Sequence, residues 1–300
     1  MGIAREAFYL LCKLRKTFDF SNASVLQLGN QSGIVSRRQI KHIAKKFDFE
    51  FKFAKDKNYE FYKNYPTGDE IFKLLGFKSI KSIDSSNFEG ATLIYDLNTP
   101  IINNAFGEYD FIYDGGTTEH IFDQLTVLDN LFKLLKIGGF VIHHTPANNF
   151  MDHGYHQPSP SFYYEYYMAN GFELIESYLI ESTYDFFRKR KIYPYEPLMY
   201  EHLSYGGWGN NLISNWFVFR KTDLSTSGKV PQQQRYTNYF HVYTKPPKSK
   251  NEIYRRLVLL LDRHQALKYY ILQTKHWATK ITKIPKFIKK QKKPKALFYA

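Results

Sequence analysis

Three short apolar runs in succession, Ser79–Asp84, Thr92–Asp96 and Tyr109–Asp114, each close on an aspartate, and an earlier run, Ser24–Leu28, closes on Gly29. Segments with helical apolar spacing lie among and after them: Ile34–Phe47, Thr67–Leu75, Ile121–Leu135 and Ser161–Asn170. Three further runs, Phe140–His144, Phe172–Ile180 and Trp216–Arg220, read as strands. Strand and helix patterns that alternate at these lengths restrict the chain to an α/β fold with a mostly parallel, doubly wound sheet. Residues 1–20 predict a short amphipathic helix. Thr67 with Glu70 three residues on has the spacing of a capping box, and Gly76 is placed to stop that helix. The Gly138–Gly139 pair is expected to end the helix of residues 121–135.

In a doubly wound sheet the ligand sits outside the carboxyl ends of the strands. The residues there are Gly29, Asp84, Asp96 and Asp114. One aspartate at a strand end is an ordinary turn residue. Three in register with a glycine turn point to a crevice that takes a nucleoside. A carboxylate can accept from both ribose hydroxyls or from an exocyclic amine, and a glycine lets backbone come close to the ligand. The turn reads GNQSG at residues 29–33. It is neither the G-x-G-x-x-G of a dinucleotide site nor a P-loop, so no pyrophosphate cradle is evident. A nucleoside without phosphates remains, which suits S-adenosylmethionine.

Several blocks carry a resemblance: VLQLGNQ at 25–31, SIDSSNFEGATLIYDLNTPI at 82–101, FIYDGGTTEHIFD at 111–123, LLKIGGFVIHHTPANN at 134–149, HGYHQPSPSFYY at 153–164 and VPQQQRY at 230–236. In order and spacing the chain resembles a bacterial group of class I S-adenosylmethionine-dependent methyltransferases, of the kind found among surface-glycan and secondary-metabolite genes. The resemblance implies a Rossmann-like methyltransferase fold with an antiparallel last strand. It implies that Gly29 and Gln31 line the methionine part of the cofactor, that Asp84 takes the ribose hydroxyls, that Asp96 and Leu97 flank the adenine, and that Asp114 and Gly115 lie below the sulfonium. It also implies a sugar or sugar-linked small molecule as acceptor. The chain departs from the group in its reduced glycine turn and in the long interval between Gly29 and Asp84, which makes residues 48–75 a candidate insertion.

Glu119, His120, His143, His144, His153 and His156 fall near the expected strand ends. A histidine suits the task of taking an acceptor proton near neutral pH, and His153, His156 and His120 are the candidates. His143 and His144 are neighbours on a strand, so they face opposite sides and cannot share an ion. His153-x-x-His156 could offer two ligands, but nothing else has a metal spacing, and the expected site holds no metal. Tyr155, Phe162, Tyr163, Tyr166 and Tyr167 read as the packed face of a helix, with a pocket wall as the other reading.

The net charge of +14 belongs to one end of the chain. Residues 221–300 hold 19 Lys/Arg and 3 Asp/Glu, against 23 and 25 in the rest. The domain plan is therefore an N-terminal helix (1–20), a methyltransferase domain (21–222), and a linker with a helical basic C-terminal extension (223–300). That extension suits an anionic membrane surface, with nucleic acid less favoured because no base-reading module is present. The lone Cys12 excludes a disulfide framework. No run approaches the roughly 18 apolar residues of a spanning helix, and the reading is cytoplasmic, with peripheral contact at the inner face of the membrane. Two other readings stand beside this one: a non-catalytic binding protein on the same fold, and an RNA or protein methyltransferase that holds its substrate with the tail.

Overall fold

Strand order defines this fold. The computed structural model describes residues 2–51, 53, 65–102, 107–183, 190–203, 207–237 and 298–299. In chain order the elements are β1 (Ile3–Ala4), α1 (Arg5–Thr17), β2 (Ser24–Leu28), β3 (Gly33–Ile34), α2 (Arg37–Lys45), α3 (Gly68–Leu75), β4 (Ser79–Asp84), β5 (Leu93–Ile94), β6 (Tyr109–Asp114), α4 (Gln124–Leu134), β7 (Leu135–His143), β8 (Pro146–Asn148), α5 (Pro160–Ala169), β9 (Glu173–Ser182), β10 (Lys191–Pro194), β11 (Leu212–Arg220) and β12 (Phe298–Tyr299). One sheet runs in the order β12-β10-β9-β11-β7-β6-β2-β4-β5. From β5 to β7 every pairing is parallel. β11 lies antiparallel between β7 and β9. The half from β5 to β7 is the parallel, doubly wound arrangement that the sequence led us to expect, but the other half, from β7 through β11, β9 and β10 to β12, is antiparallel throughout, so the sheet is mixed rather than mostly parallel with a single antiparallel strand.

The two faces follow from the pleat. Along β2, Val25 packs in one core and Leu26 and Leu28 in the other; along β11, Trp216 and Val218 go one way and Phe217 and Phe219 the other. Successive residues on a strand point to opposite faces. A sheet apolar on both faces needs a helical layer on each. α1, α2 and α3 cover the first face, and α4 and α5 the second.

Helix ends obey local chemistry. Ser36 with Gln39, and Thr67 with Glu70, both form reciprocal capping boxes. Gly76 ends α3 in the left-handed region at φ 103°, where a side chain would be strained. Asp123 caps α4 by accepting from the Thr126 amide.

Several boundaries differ from expectation. The first helix of the doubly wound unit starts at Arg37 rather than Ile34, because Ser36 caps it and Ile34 pairs in β3 with β1. The run expected at Thr92–Asp96 is a strand only at Leu93–Ile94, because Asp96 accepts from the Asn98 amide in an Asx turn. Gly138–Gly139 does not end the helix. α4 stops at Leu134, and β7 begins at once with buried Leu135 paired to Tyr109, the register slipping before Phe111 meets Phe140. β10 and β12 extend the sheet beyond the expected strands.

The chain divides into a unit of Met1–Pro231 with Ala296–Ala300 and a second unit, Gln232–Lys295. The helix expected at 253–273 and the Lys-rich segment of 275–295 lie outside the described residues, as do residues 54–64 of the candidate insertion. Among the described residues, no helix is long and apolar enough to cross a membrane.

Candidate active site

The order of strands reverses between β2 and β6. β4 and β5 lie on one side of β2, and β6 and β7 on the other. Such a switch point parts the loops that leave neighbouring strands and opens a crevice at their carboxyl ends. The register brings those ends level: Leu28 pairs with Ile83 and with Asp114, and Asp114 pairs with His143. A cavity of about 560 Å³ opens there, within the range that holds small-molecule ligands.

The cavity is built by the turns after four strands, β2, β4, β5 and β6. After β2, Gly29 adopts φ 69°, and a Cβ on it would stand 3.0 Å from Thr117 Oγ1 and 3.6 Å from Asp84 Oδ2. The buried Gln31 side chain donates to the Leu28 carbonyl and lies 3.3 Å from Thr117 Oγ1, so it braces the turn. Gly68 donates its amide to the Gln31 carbonyl at 2.8 Å, and a Cβ there would fall 2.5 Å from that oxygen. After β4, Asp84 uses Oδ1 to accept from the Ser86 amide at 3.1 Å. After β5, Asp96 Oδ1 accepts from the Asn98 amide and side chain, both at 2.9 Å, and these bonds hold its carboxyl below the ordinary range. Leu97 is buried beside it. Asn130 of α4 fixes the floor: its Nδ2 donates to the Leu97 and Thr99 carbonyls, and its Oδ1 accepts from the Ile101 amide at 2.8 Å. The N-terminal strand closes one edge, with the Gly2 amide donating to the Gly115 carbonyl at 2.7 Å.

Of the sequence-derived cofactor residues, Gly29, Gln31, Asp84, Asp96 and Leu97 line this cavity together. Asp114 and Gly115 do not; Gly116 and Thr117 form the wall after β6. Asp114 is fully buried and folds back on its own turn. Its Oδ1 accepts from the amides of Gly116, Thr117 and Thr118, and its Oδ2 from the Thr118 hydroxyl at 2.6 Å. His143 Nδ1 lies 2.9 Å from Oδ2, and His143 Nε2 lies 2.8 Å from the Tyr167 hydroxyl. Burial opposes the Asp114 charge, but the imidazole, the hydroxyl and the Thr117 amide outweigh it and lower its pKa. Asp114 therefore shapes the wall from behind. Gly115 is needed there, because a Cβ would stand 2.3 Å from Gln31 Oε1.

The three candidate histidines part ways. His120 lines the cavity. His153 approaches it: the two rings are 5.1 Å apart, and both reach towards Glu119, with Nε2 to Oε1 distances of 3.9 Å from His120 and 3.6 Å from His153. His156 turns away and places Nε2 3.1 Å from the Phe122 carbonyl. His143 and His144 do face opposite ways, His143 to Tyr163 and Tyr167 and His144 to Trp216. Tyr163, Tyr166 and Tyr167 pack in the core of the second face, as the helix-face reading had it.

Glu119 is the residue that spacing alone passed over. Its side chain is 0% exposed, and neither carboxylate oxygen has a hydrogen-bond partner among the described residues. Burial, with the Asp114 charge adding to it, pushes its pKa up to about 8. The loop of residues 150–156 is docked on it: the His156 amide donates to the Glu119 carbonyl at 3.1 Å, and a Cβ at Gly154 would lie 2.8 Å from the same oxygen. Exposed Phe122 and Tyr155 meet edge to face at 5.7 Å beside this cluster.

No family model and no curated protein matches the chain. Solved structures overlap it loosely. A 1,6-didemethyltoxoflavin-N1-methyltransferase of Burkholderia thailandensis, crystallised with bound 1,6-didemethyltoxoflavin and S-adenosylhomocysteine, is 12% identical and covers 73% of this chain and 80% of its own, with a TM-score of 0.34. A SAM-dependent methyltransferase of Archaeoglobus fulgidus is 11% identical and covers 73% and 95%, with a TM-score of 0.36. At these values the overlaps are too loose to say what this chain binds; its fold is defined by its own strand order.

Proposed function

We propose that this chain is an S-adenosylmethionine-dependent methyltransferase acting on a sugar or sugar-linked small molecule. One observation supports it above the others: at the switch point of a doubly wound sheet, a single cavity gathers Gly29, Asp84, Asp96 and Leu97 with His120. The fit to a nucleoside is chemical. Asp84 offers carboxylate oxygens to ribose hydroxyls, Leu97 offers an apolar contact for the base, and Asp96 offers an acceptor for its amine. The backbone at Gly29 lets the ligand approach where a Cβ would be in the way. The cofactor, when bound, supplies a methyl group on a cationic sulfur, open to attack by an acceptor oxygen or nitrogen.

The acceptor enters from the side of Phe122 and Tyr155, whose exposed rings suit the apolar face of a sugar. It meets His120 and His153 at the inner end, with Glu119 buried behind them, and its proton is taken up there. Holding donor and acceptor in line supplies much of the acceleration on its own. The test is titration calorimetry with S-adenosylhomocysteine. The wild-type chain binds it, and D84N weakens it by about 10- to 100-fold, the worth of a hydrogen bond to a charged group. No binding by the wild type, or equal binding by D84N, overturns the assignment.

A further inference from the structure

We propose that Glu119, His120 and His153 bind a divalent first-row transition ion, zinc-like in its preference for mixed nitrogen and oxygen donors, at the inner edge of the cavity. One donor atom from each of the three, a carboxylate oxygen of Glu119 and a ring nitrogen of each histidine, lies within 4.8 Å of the other two. Glu119 Oε1 is the shared corner, 3.9 Å from one nitrogen and 3.6 Å from the other. These separations exceed hydrogen bonds, so the histidines aim at the carboxylate without satisfying it. Bonds of about 2.0–2.1 Å to such an ion put neighbouring donors about 3 Å apart, and small side-chain rotations close the difference.

An unpartnered buried carboxyl calls for either a proton or a cation. A buried carboxylate without a partner is among the costliest groups a fold can hold, and both oxygens of Glu119 lack one among the described residues. No Lys or Arg of those residues forms an ion pair with it; its ionisable neighbours at ion-pair range among them are the two imidazoles, which carry charge only when protonated. A proton would neutralise Glu119 but leave two imidazole nitrogens converging on it for no purpose. A metal ion satisfies all three together.

The frame is rigid where ligation needs it. His153 comes from a loop pinned to the Glu119 backbone by the His156 amide and by the close seat of Gly154. Asn149 and Asp152 hold that loop's shape with left-handed backbone at φ 66° and 58°. Glu119 and His120 come from a single 3-10 turn, Thr118–His120. The side chains of His120 and His153 stay 49% and 39% exposed, so the remaining coordination positions face solvent and the cavity. One carboxylate and two histidines with open positions is the pattern of a catalytic rather than a structural site. If the methyltransferase reading holds, an ion there would grip the acceptor oxygen and ease loss of its proton; ion binding itself does not depend on that reading.

The test uses the full chain after chelator treatment and dialysis, titrated with Zn²⁺ by calorimetry and with Co²⁺ by visible absorption. We expect one ion per chain with micromolar or tighter affinity and the d–d bands of a low-coordinate cobalt site. E119Q and H153A should each weaken binding at least tenfold, while H42A on α2 leaves it unchanged. Glutamine is close in shape to the glutamic acid and carries no charge, so the metal-free form of E119Q should melt no lower than the wild type and should lose the rise in Tm caused by Zn²⁺. Absence of wild-type binding below 100 µM, or binding that survives both E119Q and H153A, overturns the site. S-adenosylhomocysteine titrated in parallel keeps the two proposals apart, since each ligand can bind without the other.

Discussion

Asn130 is the residue on which the cavity floor depends, and its replacement by alanine gives a worked expectation. The amide makes three hydrogen bonds to the backbone of residues 97–101. In N130A the Ile101 amide and the Leu97 carbonyl lose their partner in buried surroundings, while the Thr99 carbonyl is only part-buried and can turn to water. Two buried backbone groups left unmatched cost about 1–3 kcal/mol each, so the native loop is destabilised by about 2–4 kcal/mol after partial relaxation. That energy can appear in two ways. If the loop keeps its place, urea unfolding shows the whole loss. If it opens locally at smaller cost, unfolding shows less, and the remainder appears as weaker binding of S-adenosylhomocysteine, about tenfold for each 1.4 kcal/mol needed to re-form the floor. Urea denaturation and calorimetric titration with S-adenosylhomocysteine, run on the same preparation, measure both parts. N130D keeps an acceptor for Ile101 but sets a carboxylate against two carbonyls, and should be no better. If N130A matches the wild type in both measurements, Asn130 does not organise the floor, and the reasoning fails.

Two further outcomes follow from the described packing. His144 is fully buried, and that burial, with the Arg190 charge adding to it and the Glu6 and Asp114 charges working against it, lowers its pKa from 6.5 to about 4. The unfolded chain takes up this proton first, so the stability His144 contributes is complete above pH 6.5 and is lost as the pH falls through the window to 4; the loss is about 3 kcal/mol. Comparison of urea midpoints at pH 7 and pH 4 should show a smaller fall for H144Q than for the wild type, and equal falls would refute the attribution. At Gly68, in the first turn of α3, helix propensity alone favours alanine by up to about 1 kcal/mol. The added Cβ would sit 2.5 Å from the Gln31 carbonyl and 2.4 Å from Gln27 Oε1, and overpacking of this kind costs about 1–3 kcal/mol, so G68A should unfold at lower urea; a more stable G68A would show that the turn gives way freely.

The strands β2, β4 and β6 were legible because they are short apolar or aromatic runs closed by Gly or Asp, and their structural limits agree with the sequence. The capping boxes were legible because they are local. What failed was tertiary in origin. Sequence does not distinguish an aspartate that faces a ligand from one that folds back to cap its own turn, and Asp114 is of the second kind. The short edge strand β5 gives up Asp96 to an Asx turn that no period-two pattern reveals. β10 is four residues long and ends in Pro194, so it carries too little pattern to register. Glu119 beside His120 reads as a helix-start pair; only the docking of residues 150–156, thirty positions away, shows that its carboxylate is buried with His153 beside it. His153 and His156 share a motif, yet the loop sends them to different partners.

The seat of the N-terminal strand bears on how the protein is handled. Gly2 lines the cavity, its amide is tied to Gly115, and its left-handed backbone leaves a would-be Cβ 2.4 Å from the Ser32 carbonyl. Polypeptide attached ahead of residue 2 therefore joins the fold at a residue that lines the cavity. An affinity tag fused there would act as a tethered competitor for whatever the cavity holds, at a local concentration no dialysis can dilute.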